Sequence, residues 1–407
     1  MRQVLHLLIV DRDRRAALAA RYGARWLLPV VTCDESARAA PLIAGWCAGR
    51  SCKPSVAGQW LGRIGPDATD WLVPVAAVAG CWTADAGFEW ISLDALSAGA
   101  SVLDYQTWAL AAALVRGALP SVRGPFGNLE WPERVLAWIG DAAGSVPLAS
   151  TPYRVSAHEI VLGADMACGR VYFKGLSQGR EAEAELTRRL AAVAPGSFPH
   201  TVALERRDDG SEWWLMAACP GRPGGDAKTA AQALAHIQQR LIGLGPRALA
   251  LPAIDLDAAA QWAGKLLPDP ACRIVVSQSC IEVTRASIPR SWIPMDLDPT
   301  NVLLDEESAV RFIDVDDSYW GPAPLALATF ARRSADPATA RRAYEQSWVP
   351  ALSGIEWRRL EVAATVFQAW LGWNRLKRNV ERGEVCAALD QVEAAIRERL
   401  SKAIYCR

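Results

Sequence analysis

Three observations on the 407-residue sequence predict an α+β fold. Short apolar runs bounded by Gly, Pro and Asp recur through residues 1–148 and again around Arg170–Lys174 and Glu212–Ala217, as strands do. From Ala338 onward apolar residues instead fall three and four apart, the spacing of helices that face a core. A composition of 51% hydrophobic and 22% charged residues can fill the two or three domains that such a length implies at roughly 150 residues each.

In chain order, the segments Val4 to Val10, Trp26 to Thr32, Trp71 to Val78 and Phe88 to Leu93 read as strands, and Tyr105 to Arg116 as a helix. Pro132 to Ile139 reads as a second helix, with Pro132 in its first turn and Gly140 after its last. Asp141 to Tyr153, rich in Gly, Ser, Pro and Thr, is read as a boundary, giving expected domains at 1–148, 149–222 and 223–407. After the Arg170–Lys174 strand, a helix is expected over Glu181 to Val193, with Leu186, Leu190 and Val193 on one face. The strand Glu212 to Ala217 leads into the turn Pro220 to Gly225, and a helix follows over Thr229 to Ile242. A Pro-rich connection then reaches Trp292. Asn301 to Leu304 and Val310 to Asp314, separated by Asp305 to Ser308, should pair as a hairpin. Trp357, Leu360, Ala364, Phe367, Trp370 and Leu371 form one helical stripe and are read as core.

Charge and cysteine content narrow the functional classes. With 44 Lys plus Arg against 44 Asp plus Glu, there is no net field to hold nucleic acid or an anionic membrane. The ten cysteines contain no CxxC pair and read as reduced thiols, and the four histidines contain no HExxH. Val4 to Val10 runs straight into Asp11-Arg12-Asp13-Arg14-Arg15, unlike a signal peptide, and no apolar stretch approaches the roughly 18 residues that cross a bilayer. A cytoplasmic protein is expected.

Chemistry concentrates near the hairpin. Asp296 and Asn301 precede its first strand and Asp314 follows its second, so three oxygen-bearing side chains should meet at one end. Asn301 and Asp314 suffice to hold Mg2+ with a nucleotide, because Mg2+ takes few protein ligands and completes its shell with phosphate and water oxygens. Asp296 is then free to address a substrate hydroxyl. The run Pro294-Met295-Asp296-Leu297-Asp298-Pro299-Thr300-Asn301-Val302-Leu303-Leu304, followed by Ile313-Asp314 and Trp320-Gly321-Pro322, resembles the catalytic core of the aminoglycoside phosphotransferase family.

That resemblance extends over about Val155 to Phe330 and implies a protein-kinase-like bilobal fold, with 149–222 as its smaller lobe, 223–407 as its helical lobe and 1–148 as a separate α+β domain. It implies Asp296 as catalytic base, Asn301 and Asp314 as Mg2+ ligands, and ATP as donor. Lys174 and Glu183 resemble the family's phosphate-binding Lys and its Glu partner, with Glu181 second. The backbone at Ala217 and Cys219 resembles the hinge that takes the adenine. The chain departs from the family at Pro294, where a His is usual, and at Leu325-Ala326-Leu327-Ala328, where an Asp is usual. The expected function is ATP-dependent phosphorylation of a hydroxyl on a small molecule or peptide. Arg358, Arg359, Arg375, Lys377 and Arg378 alternate with Glu356, Glu361, Glu381 and Glu384, which does not favour a polycationic drug as acceptor. A nucleotide-binding pseudokinase is the alternative. A serine hydrolase built on Ser177 of Gly175-Leu176-Ser177-Gln178-Gly179 is a further one, short of a suitably placed His. Residues 1–148 resemble a Nudix-type domain without its acidic metal-binding helix, which implies a noncatalytic platform.

Overall fold

The structure, a computed structural model, describes residues 3–11, 16–22, 25–28, 30–33, 54–57, 62–64, 70–77, 88–92, 131–155, 159–177, 182–224, 226–348, 356–381 and 389–405. The helix expected over Tyr105 to Arg116 lies outside them. The chain forms two compact units, Met1–Glu181 with Thr201–Ala218, and Ala182–His200 with Cys219–Arg407.

In the first unit, the strand Gln3–Asp11 runs parallel to Asp70–Ala77, from Val4 opposite Asp70 to Val10 opposite Ala76. It is antiparallel to Val30–Cys33, and Ala16–Tyr22 joins it at Val10 opposite Ala17 and carries Glu89–Ser92 on its other side. The four strand runs expected here are therefore present, the second of them split into Arg25–Leu27 and Val30–Cys33. Leu7, Ile9, Leu18 and Ala19 are buried.

The same unit holds a five-stranded antiparallel sheet in the order Thr201–Arg206, Glu212–Ala217, Gly169–Leu176, Glu159–Met166, Ala149–Val155. The helix Trp131–Ala143 supplies its apolar cover, because Trp131, Val135 and Ile139 repeat every fourth residue and form one core with Leu162, Phe173, Trp213 and Leu215. Trp138 meets Phe173 and Trp213 edge-on at centroid distances of 5.8 and 5.6 Å. Asp141 to Tyr153 is more regular than its composition suggested: the helix runs to Ala143, Gly144 at φ +71° stops it, and Ala149 opens the edge strand. Pro152 is tolerated there because an edge strand need not donate every amide.

The second unit begins with the helix Ala182–Val193, whose Leu186 and Leu190 enter a core shared with Phe198, Trp292 and Phe312. The helix Ala227–Leu241 follows, started by Asp226, which accepts from the Thr229 amide at 2.9 Å and its hydroxyl at 2.7 Å. The stretch from there to Trp292, expected as a Pro-rich connection, contains the helices Leu256–Leu266 and Pro270–Arg285. Asp255 and Asp269 cap them, and Pro270 occupies a first-turn position where its missing amide costs nothing. Prolines that read as loop punctuation are helix starts. The C-terminal part is helical as expected, in Pro324–Arg333, Pro337–Ser347, Trp357–Glu381 and Leu389–Tyr405. Leu360, Ala364 and Phe367 are buried, with Trp357, Trp370 and Leu371 packed against them. No helix among the described residues is long and apolar enough to cross a membrane.

The expected hairpin is present as Val302–Leu304 paired with Val310–Phe312, and Arg222–Pro223 adds a third strand beside Leu303 and Leu304. Gly221, at φ +116°, makes this approach feasible, since a Cβ there would stand 2.8 Å from the Leu304 carbonyl carbon.

Candidate active site

The strand Arg290–Pro294 leads into the loop that carries Asp296 and pairs antiparallel with Ser318–Pro322, Trp292 opposite Trp320. Trp292 is fully buried and donates its indole N–H to Ser318 Oγ at 2.8 Å. Beyond Pro294 the side chains alternate. Met295 and Leu297 are buried in the core, so Asp296 and Asp298 face outward. The Met295 amide donates to the Asp317 carbonyl at 2.7 Å, and Gln368 Nε2 donates to the Met295 carbonyl at 2.6 Å, which pins the backbone on both sides of Asp296.

Asp298 starts the short 3-10 turn Pro299–Asn301 by accepting from the Thr300 amide at 2.9 Å and its hydroxyl at 2.8 Å. Burial pushes the Asp298 carboxyl up, but the Thr300 donors and the Arg333 cation outweigh it and hold the group below its ordinary range. Asn301 closes the loop. Its side-chain Nδ2 donates to the Asp296 carbonyl at 3.2 Å, and its own carbonyl accepts from the Ile313 amide at 3.0 Å. Asn301 and Asp314 thus lie on adjoining strand ends, and the hairpin brings Asp296, Asn301 and Asp314 to one end of itself. Asp314 adopts φ +59°, a left-handed conformation that costs a non-glycine residue about 1–2 kcal/mol and concentrates at functional sites. At the other end of the hairpin, Asp305 accepts from the Glu307 and Ala309 amides and from Arg311 at 2.7 Å.

Asp296 borders a cavity of about 320 Å³. Its Oδ1 accepts from Arg333 Nη1 at 2.8 Å, and the same guanidinium lies 3.6 Å from Asp298. Asp317 pairs with Arg375 across the same cavity. Burial disfavours the Arg375 cation, yet Asp317, Asp316 and Asp296 more than reverse this and raise its pKa. Arg333, Arg375 and Asp317 are functional candidates that sequence reasoning missed in this role.

The remaining predicted residues lie elsewhere. Lys174 sits within the strand Gly169–Leu176, two residues before its end, and is buried with its Nζ 3.9 Å from Glu159 Oε1. Glu159 also accepts from Arg154 at 3.2 Å, a partnership set by strand register that the sequence did not reveal. Glu183 lies in the first turn of the helix Ala182–Val193 and is buried. Ala217 ends its strand opposite Val171, and the adjoining Ala218 amide donates to the Arg170 carbonyl at 3.1 Å. Burial pushes the Cys219 thiol up, partly offset by Arg311. Ser177 is buried, whereas a hydrolase elbow has to present its hydroxyl at the surface. Among the described residues no cluster of three or more His, Cys, Asp or Glu forms a metal cage.

No family model matches the sequence, and no curated protein matches it. In structure the chain is similar to a macrolide 2'-phosphotransferase from Brachybacterium faecium, with 17% identity over 68% of this chain and 99% of that one at a TM-score of 0.46. It is also similar to a spectinomycin phosphotransferase in complex with ADP and spectinomycin (10% identity, 67% and 97% covered, TM-score 0.48). A choline/ethanolamine kinase family protein from Mesorhizobium loti is a third (14% identity, 61% and 85% covered, TM-score 0.43). At these identities, with all three TM-scores below 0.5, the likenesses assign neither activity nor substrate to this chain. The chain resembles aminoglycoside and macrolide phosphotransferases, and its fold is α+β and protein-kinase-like: an antiparallel five-stranded sheet, then a helical unit bearing a hairpin.

Proposed function

We propose that the chain is an ATP-dependent O-phosphotransferase that uses Mg2+ and transfers the γ-phosphoryl group to a hydroxyl. One observation carries this reading: a single hairpin end gathers Asp296, Asn301 and Asp314, with a cavity of small-molecule size beside Asp296 alone of the three. The donor set fits Mg2+. The Asn301 amide is oriented by donating Nδ2 to the Asp296 carbonyl, which leaves Oδ1 for a cation, and Asp314 presents an exposed carboxylate from the adjoining strand end. Bound there, Mg2+ would supply charge neutralisation to the phosphate oxygens.

Asp296 accepts the proton of the acceptor hydroxyl as that oxygen attacks phosphorus, and the backbone bonds at Met295 hold the carboxylate in place. Lys174, Glu183 and the backbone at Ala217 and Cys219 are assigned to the nucleotide. Phosphoryl transfer asks mainly for positioning and charge compensation, which these residues can provide. The test is ADP release from ATP across a library of hydroxyl compounds. Asp296→Asn should lower turnover by roughly 10²–10⁴-fold, and Asp314→Ala should abolish the Mg2+-dependent stabilisation by ATP. Equal turnover in all three chains sinks the mechanism, and stabilisation without turnover makes the chain a pseudokinase.

A further inference from the structure

The cavity beside Asp296 has a charge pattern that its proposed chemistry does not require. Six charged side chains line it: Asp296 and Asp317 against Arg332, Arg333, Arg375 and Arg399. Both carboxylates are already engaged, Asp296 by Arg333 at 2.8 Å and Asp317 by Arg375. Two cations are left over. Arg332 donates to two neutral acceptors, the Thr365 hydroxyl at 2.5 Å and the Gln368 side-chain oxygen. Arg399, from the helix Leu389–Tyr405, has no acidic partner among the described residues. The wall therefore carries a surplus of two guanidinium groups in a space of about 320 Å³.

From this arrangement, and resting on the phosphotransferase reading above, we infer that the acceptor is a small molecule bearing a carboxylate or phosphate group as well as the hydroxyl it presents to Asp296. Guanidinium groups bind both anions through paired, charge-assisted N–H donors. The same surplus repels a polycation, which explains in physical terms why an aminoglycoside is a poor candidate here. The helix Pro324–Arg333 supplies Arg332 and Arg333 from adjacent positions, so anion recognition and the alignment of Asp296 share one rigid element.

The experiment uses the full chain and two independent readouts. Thermal stabilisation by ATP with Mg2+ reports the phosphotransferase reading by itself. ADP release and thermal shifts are then compared for anionic hydroxyl compounds (glycerate, glycerol 3-phosphate, glucuronate), neutral ones (glycerol, glucose) and an aminoglycoside. Preference for the anionic set is expected, with KM or Kd for the best anion raised roughly tenfold or more in Arg399→Ala, kcat little changed, and partial recovery in Arg399→Lys. A chain stabilised by ATP with Mg2+ that prefers neutral or cationic compounds, or binds no anion better than its neutral analogue, overturns the inference and leaves the phosphotransferase reading standing. The same holds where Arg399→Ala leaves anion affinity unchanged. Absence of stabilisation by ATP with Mg2+ defeats the phosphotransferase reading, and the inference falls with it.

Discussion

Gln238 has no solvent exposure, yet its side chain is fully used. Nε2 donates to the Trp292 carbonyl at 2.8 Å and to the Ala323 carbonyl at 3.0 Å, while Oε1 accepts from the Tyr344 hydroxyl at 2.6 Å. Ser291 Oγ donates to the Gln238 backbone carbonyl at 2.7 Å. Burial raises the Tyr344 pKa well above its ordinary value, so the phenol remains a donor at any working pH. One residue thereby ties the strand entering the Asp296 loop to the start of the helix carrying Arg333. This network lies beside Pro294 and Leu325, the positions where the chain departs from the pattern it resembles, and it braces the loop by other means. Gln238→Leu would strand two carbonyls and a hydroxyl, so a loss of about 3 kcal/mol or more is expected in denaturant unfolding. Tyr344→Phe removes one donor and should cost about 1–2 kcal/mol. A Gln238→Leu chain within about 0.5 kcal/mol of the native one, the range of ordinary surface changes, would show that the network does not brace the loop.

At the scale of elements, the helix Ala182–Val193 carries Glu185 three and four residues before Arg188 and Arg189, which donate to it at 2.8 and 2.7 Å. The hydrogen bonds from Arg188 and then Arg189 lower the Glu185 pKa from 4.5 to about 2. A carboxyl depressed on folding contributes stability above its unfolded pKa and loses it as pH falls through the folded one. Glu185→Gln should therefore cost roughly 0.5–1 kcal/mol at pH 7, as partly exposed pairs do. The difference from the native chain should shrink between pH 4.5 and about 2 and vanish below. Thermal melts across that range check it, and a difference that grows toward low pH contradicts the assignment. Elements such as this helix and the hairpin were legible because apolar spacing and turn residues agreed within one short window. The helices Leu256–Leu266 and Pro270–Arg285 were not, because a Pro at a helix start looks locally like a Pro in a loop, and only the capping Asp255 and Asp269 distinguish them. The strand Glu159–Met166 escaped because it lies between two others and is buried along most of its length, which erases the alternation that marks a half-exposed strand.

Over the whole molecule, what could be read from sequence depended on how far apart the partners lie along the chain. Asp296, Asn301 and Asp314 fall within one loop and hairpin, so their meeting follows from local rules. Arg333, Arg375 and Arg399 reach the same cavity from three separate helices, and Glu159 reaches Lys174 only through strand register; no local pattern encodes such meetings. The same distinction separates two hydrophobic cores with no residue in common. One surrounds Trp131, Phe173, Trp213 and Leu215, and the other surrounds Leu234, Trp292, Phe312 and Phe367. A chain with two cores is expected to lose them in separable steps rather than in one all-or-none transition. Phe173→Ala removes a fully buried ring from the first core and should destabilise it by about 3–5 kcal/mol. Leu234→Ala removes a fully buried side chain from the second, at about 2–5 kcal/mol. Scanning calorimetry should then show each substitution moving a different transition to lower temperature while the other stays in place. A single peak that both substitutions shift equally would mean that the two units unfold as one cooperative body, and that separate cores do not make separate domains in this chain.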